Sequence, residues 1–542
     1  MLNLLDYPFD SKKILRKKKL LKKELLQNKD LIKKKIAILG GSSTNELKEQ
    51  LELFLLKSKI KPEFYECEFC QYYETVMFDE NSFFEFNPDY VYLHVSIENL
   101  KSLNDQNRSS KDKALDEFVK LESIWNKINK KLNCQIIQDN FEFPEVKSLG
   151  NYDVSSKDSV INTISQLNLM IHEAANKKSF LHICDRNYLS NKHGLSIWKD
   201  NNLWISAKYS LSYIAITNLS YILCNIIGSI IGLSKKCLVL DLDNTLWGGV
   251  IGDDGLEGIT LGKDTPTGEA YLEFQNYIKL LKKRGVILAV CSKNEINIAK
   301  SGFDHPDSIL KISDFTVFKA NWDLKSKNIL DIAKEINIGL DSLVFIDDNP
   351  AERELVRKDL NGQVCVPEIG DNIVNYRAIL DSADFFSISS LSHEDIKRNE
   401  YYQDNLEREK HLSNFENYID YLKSLNMSAE IDHFKEMYVT RITQLTNKTN
   451  QFNLTTKRVT ETEIKNSVTD KNTISLYARL VDKFGDNGLV SLIQGKIFQD
   501  LIEIELWLMS CRVFNRTLEY SLMYEFIKKA KKQKIKIIKG KY

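Results

Sequence analysis

The stretch KKCLVLDLDNTLWGGVIGDDG, Lys235–Gly255, decides the fold. An apolar run fit for a buried strand ends in Asp241-Leu242-Asp243 and turns at once through Asn244, Thr245 and the glycine pair Gly248-Gly249. Residues two apart on a strand share a face, so both carboxylates stand on one side of the strand's end. Two like charges in such a place are costly unless something binds them. A cation, a phosphate held through it, or both would answer that need.

Downstream, Leu238–Asp241, Val286–Cys291, Phe315–Val317, Leu343–Ile346 and Val364–Val366 read as apolar strands. Helical patterns such as GEAYLEFQNYIKLLKKRG and KSKNILDIAKEIN alternate with them, and this alternation predicts a doubly wound parallel sheet. Such sheets place functional groups at the carboxyl ends of their strands. Here those ends carry Asp241 and Asp243, then Ser292, then Lys325, then Asp347 and Asp348. Phosphoryl transfer through an aspartyl phosphate needs this set. Asp241 is placed as nucleophile, Asp243 as general acid and base, Ser292 and Lys325 as the phosphate clamp, and Asp241, Asp243, Asp347 and Asp348 as candidate Mg²⁺ ligands. Lys327 competes with Lys325, but Lys325 lies one helix and one strand before Asp347, the spacing that suits the role.

DLDNT resembles the DxDxT signature of the haloacid dehalogenase (HAD) superfamily, and CSKN, Lys325 and the Asp347-Asp348 pair are similar to its other motifs in order and spacing. The longer words LDLDNTLWGGVIGDDG, LVFIDDNPAERE and QLTNKTNQFNLTTKR resemble the FkbH-like, HAD-IIIC branch from Lys35 onward. The resemblance implies a multi-domain α/β chain. A central capless Rossmannoid HAD domain is flanked by an SGNH-like α/β domain and a GNAT-like α+β domain. Both gaps that hold a cap in the superfamily, Thr245 to Val286 and Ser292 to Lys325, have room only for a flap, a helix and a strand. A capless site is open and suits a bulky or carrier-borne substrate.

The expected division is a basic arm at 1–34, an SGNH-like domain at 35–234, the HAD-like domain at 235–380, a charged helical connector at 381–430 and a GNAT-like domain at 431–542. The last reads as incomplete at its C-terminus, where further strands are expected. LGGSS, Leu39–Ser43, occupies the turn where SGNH hydrolases carry their serine, with Ser42 in place and His193 the nearest candidate partner. In the last domain, the glycine-rich RxxGxG/A turn that gives its N–H groups to a CoA pyrophosphate is represented by Arg512 to Thr517, with both small positions altered. Arg512, Asn515 and Arg516 are the candidate contacts, and CoA, a phosphopantetheine arm and a structural role all stay open.

With 542 residues the chain is too long for one core. Lys+Arg and Asp+Glu both total 75, which leaves no charge excess for nucleic acid. Nine scattered cysteines and no evident signal peptide fit a reducing cytoplasm. Cys67 and Cys70 form a lone CxxC without a second pair. Leu211–Leu233 is uncharged, but its serines and asparagines favour a buried helix over the next sheet, with no integral membrane insertion. The Lys12–Lys35 arm reads as a solvated basic helix.

FkbH-like relatives process a phosphorylated glyceryl group and load it onto an acyl carrier protein, in polyketide or surface-glycan pathways. The resemblance therefore implies a phosphorylated small acid, free or carrier-bound, as substrate and an acyl carrier protein as partner. Loading is expected to need a thiol within or just after the first motif, where this chain has Leu242 and Ile251. Cys237 and Cys291 lie near in sequence, either as core residues or as that thiol. The reading from another class is a non-catalytic scaffold that binds a carrier protein and a phosphorylated ligand.

Overall fold

The computed structural model describes residues 2–28, 30–78, 82–105, 107–391, 396–449, 452–453 and 459–540. They form two compact units, Met1–Gly228 and Ser229–Tyr542.

The first unit is built on a parallel sheet of order β2-β1-β3-β4-β5, with β1 Ile32–Gly40, β2 Ile60–Glu66, β3 Tyr90–His94, β4 Gln135–Asp139 and β5 Leu181–Cys184. The later half of β1 and all of β3 are buried, as continuous apolar runs demand when helices cover both faces. β2 and β5 escape a reading by periodicity because one is charged and the other very short. The basic arm is not a free solvated helix. Its helix Ser11–Leu25 buries Ile14, Leu21 and Leu25, and pairs Lys18 with Glu46 at 2.7 Å and Lys22 with Glu52 at 2.5 Å on the helix Asn45–Lys57.

The apolar helix Tyr213–Ile230 is long and apolar enough to cross a membrane by length and composition, yet 61% of it is buried. The expected cover over the following sheet needs correction, because its polar side chains bond back into the first unit. Thr217 donates to Gln50 Oε1 at 2.7 Å, and Ser220 donates to the Leu47 carbonyl at 3.3 Å.

The second unit opens with a parallel sheet of order β8-β7-β6-β9, with β6 Cys237–Leu240, β7 Ile287–Ser292, β8 Val317–Ala320 and β9 Leu343–Ile346. Leu238 and Leu240 pack into one core layer, and Cys237 and Val239 into the layer on the other face. β8 begins two residues later than Phe315 because Phe315 follows a 3₁₀ turn, Ile312–Asp314, and is spent on the core. The predicted strand at Val364–Val366 is reduced to an isolated bridge between Cys365 and Val344.

A mixed sheet follows, in order β10-β11-β12-β13-β14, with β10 Ser428–His433, β11 Thr473–Asp482, β12 Gly485–Phe498, β13 Leu501–Met509 and β14 Ile537–Gly540. β10 to β13 pair antiparallel, and the helix Leu518–Lys532 carries the chain to β14, parallel to β13. This is the α+β arrangement expected of the last domain. The connector helix Arg398–Leu412 braces both parts of this unit. Tyr402 joins the core of the parallel sheet, and Arg408 grips Asp482 with paired 2.8 Å hydrogen bonds.

Candidate active site

The carboxyl ends of β6, β7 and β9 and the start of the helix Lys325–Glu335 meet at one edge of the parallel sheet. Asp241 follows β6 and Asp347 follows β9, and Lys325 stands between them. Its ammonium is 3.0 Å from Asp241 Oδ2 and 2.6 Å from Asp347 Oδ2. Burial by itself would depress this ammonium. The Asp241 and Asp347 charges outweigh that and raise it above its ordinary value. Lys327 points elsewhere, exposed and paired with Asp323 at 2.8 Å.

Asp241, Asp347 and Asp348 each offer a carboxylate oxygen, all within 4.8 Å of one another. Asp241 Oδ1 is buried with no hydrogen-bond partner. The cluster holds more negative charge than Lys325 neutralises. Burial first, and Asp241 second, push Asp347 up to about 7 and raise Asp348 as well. An orphaned buried carboxylate oxygen in a hard, all-oxygen donor set fits Mg²⁺.

Asp243 was a candidate ligand, but its carboxylate has no place in that cluster. Oδ1 accepts from Trp247 Nε1 at 2.9 Å and from the Ile251 amide at 3.1 Å, and Oδ2 accepts from Asn294 Nδ2 at 3.2 Å. Burial, and to a smaller degree Asp241, hold its carboxyl above the usual range. That favours the protonated form a general acid needs. Ser292 closes β7 almost fully buried.

Trp247, Asn294 and Arg353 support this set without having been singled out in the sequence. Arg353 donates to the Asp347 and Asp348 carbonyls at 2.8 and 2.7 Å, fixing the turn that carries both. Thr245 accepts the Asp348 amide at 3.3 Å. Trp247 rests on Gly302, where a Cβ would lie 2.6 Å from the indole. Gly302→Ala should therefore displace the indole from Asp243 at a cost of about 1–3 kcal/mol. The expected result is a lower melting temperature and a kcat loss larger than the change in KM. An unchanged kcat would show that Trp247 does not hold Asp243 in place.

The segment between Thr245 and β7 holds a flap closed by the Gly248–Thr260 bridge and the helices Ile251–Gly258 and Pro266–Lys283. No cap domain is inserted there, nor between Ser292 and Lys325, where a short helix and β8 suffice. Cys237 and Cys291 are fully buried on the core face away from Leu238 and Leu240, and burial pushes both thiols up. Both are core residues.

The model of the FkbH N-terminal domain matches residues 35–228. A crystal structure of the N-terminal part of the protein BF1531 from Bacteroides fragilis, containing a phosphatase domain complexed with Mg, is 34% identical. It covers 69% of this chain and 99% of its own, with a TM-score of 0.65. The chain belongs to the FkbH-like family of the HAD superfamily. This FkbH-like protein thus carries a HAD-type phosphatase domain.

More distant are the ribosomal-protein-S18-alanine N-acetyltransferase from Escherichia coli, at 8% identity over 20% of this chain and 63% of its own with a TM-score of 0.17, and a fungal GCN5-related glucosamine N-acetyltransferase region, at 10% identity over 97% and 63% with a TM-score of 0.17. No curated protein matches the chain.

The other candidate contacts lie apart from the phosphatase site. Arg516 is buried against Asp482 at 2.9 Å and donates to Asn405 Oδ1 at 2.7 Å, so its guanidinium is spent on the brace rather than turned to a phosphate. Burial, then the neighbouring Arg408, bring it down to about 10. Arg512 stacks 4.4 Å over the Tyr401 ring, and the Asn515 carbonyl accepts from Tyr418. Asn515 and Thr517 nonetheless take the left-handed backbone, φ 62° and 60°, that glycines would adopt. His193 is not brought to Ser42. It stacks on Trp198, with ring centroids 5.9 Å apart.

Proposed function

We propose that this FkbH-like protein is a Mg²⁺-dependent phosphatase or phosphotransferase that works through an aspartyl phosphate on Asp241. It acts on a phosphorylated small acid, free or borne by an acyl carrier protein. The carrying observation is the buried, unpartnered Oδ1 of Asp241 beside the Lys325 ammonium and the Asp347 carboxylate. Asp241, Asp347 and Asp348 would hold the cation, which supplies charge neutralisation for the incoming phosphoryl group.

Asp241 attacks phosphorus, while Asp243 gives its proton to the leaving oxygen and then takes one from the water that opens phospho-Asp241. Lys325 and the Ser292 hydroxyl donate to the transferring oxygens. Asp347→Ala is expected to weaken Mg²⁺ binding and turnover together, with partial recovery at high Mg²⁺. Lost activity with an unchanged Mg²⁺ titration would remove Asp347 from the metal site.

The raised Asp347 carboxyl makes a second test. Without a cation, the folded protein holds a proton there more tightly than the unfolded chain, so stability falls as pH rises from about 4 to about 7. A cation displaces that proton. Mg²⁺ should therefore raise the melting temperature more above about pH 7 than near pH ~5. An equal rise at both would contradict it.

The capless, open site supports a carrier-borne substrate, because remote contacts then supply the positioning a lid would give. Coupled acyl transfer of a glyceryl-like group would need a thiol other than the buried Cys237 and Cys291, such as that of a carrier's phosphopantetheine. The free cysteines support a cytoplasmic setting. Pull-down with carrier proteins, followed by mass measurement of the pantetheine arm, tests the partner. Efficient hydrolysis of free phosphate esters without any carrier association would leave a simple phosphatase.

A further inference from the structure

The first unit holds a buried side-chain chain that phosphoryl chemistry does not use. β1, β3 and β4 are neighbours and run parallel, so their carboxyl ends share an edge. His94 ends β3, Asp139 ends β4, and Ser42 follows β1. Ser210 arrives from the segment after the helix Asn201–Ala207. Ser43 pins that segment, its amide donating to the Lys208 carbonyl at 2.9 Å and its hydroxyl to the Ala207 carbonyl at 2.6 Å.

His94 Nδ1 lies 2.9 Å from Asp139 Oδ2, His94 Nε2 lies 3.4 Å from Ser210 Oγ, and Ser210 Oγ lies 3.1 Å from Ser42 Oγ. The Tyr92 hydroxyl donates to Asp139 at 2.8 and 2.9 Å. Since a carboxylate only accepts, the Nδ1 hydrogen of His94 goes to Oδ2, and the lone pair of Nε2 faces Ser210. Arg186, fully buried, donates from Nη2 to Glu142 Oε1 at 2.8 Å and sets Nη1 3.6 Å from Asp139 Oδ2, so its charge is shared between the two carboxylates. Its Nε and Nη1 have no hydrogen-bond partner among the described residues.

A hydroxyl against an imidazole that a carboxylate orients is the arrangement of an activated nucleophile. We propose that Ser210, His94 and Asp139 form a second catalytic centre, in the first unit, that hydrolyses a carboxylic ester through an acyl-Ser210. Ser210 Oγ bonds to the acyl carbon as its proton passes to His94 Nε2. The carbon–oxygen bond to the alcohol then breaks, and the alcohol leaves with that proton. Water attacks the acyl-serine through the same imidazole, releasing the acid and restoring the Ser210 hydroxyl. Ser42 Oγ is placed to turn its proton toward the acyl oxygen. Because both serines are buried, entry requires Ala207 and Lys208 to part from Ser43 while Ser210 keeps its place beside His94.

The full chain is treated with a fluorophosphonate probe, and the modified peptide is mapped by mass spectrometry. The expected adduct is on Ser210, forming at least about 100-fold more slowly in His94→Gln. The wild type should also release a burst of p-nitrophenolate from p-nitrophenyl acetate, and Ser210→Ala, folded by its melting temperature, should not. The burst decides the matter even if His94→Gln does not fold. No adduct, an adduct on Ser42 alone, equal labelling in a folded His94→Gln, or an undiminished burst in Ser210→Ala would each overturn the assignment.

Discussion

Asp241→Asn should lower phosphate release by about four orders of magnitude while leaving the protein folded. The amide keeps the shape and still offers an oxygen to Lys325, but it cannot attack phosphorus. The reason to expect an intact fold is electrostatic. Asp241, Asp347 and Asp348 crowd around one ammonium, and the Asp241 charge helps to raise the carboxyls of both neighbours. Removing its charge relieves repulsion that the fold otherwise tolerates. The melting temperature measured without Mg²⁺ should thus be unchanged or higher. Retained turnover in folded Asp241→Asn would end the nucleophile assignment, and no phosphate release by the wild type with Mg²⁺ would leave a binding scaffold as the better reading.

Lys325→Met is the second large effect. The ammonium is nearly fully buried and touches Asp241 and Asp347 together, so its loss leaves buried carboxylates without their partner. Removing one member of such a set destabilises a protein by about 3–5 kcal/mol. The transferring phosphoryl group loses a positive donor as well, for a fall in kcat of about 10²–10³. Acid should restore part of the stability, as the abandoned carboxylates take up protons. Lys327→Met, at an exposed residue paired only with Asp323, should change stability by less than about 0.5 kcal/mol and leave turnover alone. Similar losses in both variants would mean that the wrong lysine has been placed in the site.

Strand ends made the cluster of Asp241, Lys325 and Asp347 legible. Asp241, Ser292, Lys325 and Asp347 each close or follow an apolar run, and parallel-sheet geometry brings such ends together wherever they lie in the chain. Side-chain direction was not legible. Asp243 sits two residues from Asp241 on the same face, and the indole of Trp247, the Ile251 amide and the side-chain amide of Asn294 turn its carboxylate from the carboxylate cluster. Arg353 lay inside a quoted motif, yet its work is done on backbone carbonyls that no spacing reveals. Arg516 matched a phosphate-binding pattern by position, but Asp482 and Arg408 are contributed by β11 and the connector, so the brace emerges only in three dimensions. The basic arm misled for a similar reason. Its lysines suggest solvent, while Ile14, Leu21 and Leu25 form a stripe that needed the acidic helix Asn45–Lys57 as partner. His94 ends a strand just as Asp241 does, but histidines at strand ends carry no pattern, and its partners come from β4 and a distant turn.

The most direct test of the account is to quench the protein during turnover of a phosphorylated acid with Mg²⁺, reduce it with borohydride and measure the mass of the peptide that carries residue 241. An aspartyl phosphate is reduced to homoserine, whereas a free carboxylate is untouched. The account predicts homoserine at position 241, dependent on substrate and Mg²⁺, with Asp243, Asp347 and Asp348 unchanged. Phosphate release with Asp241 unmodified, or the label at another carboxylate, would contradict it.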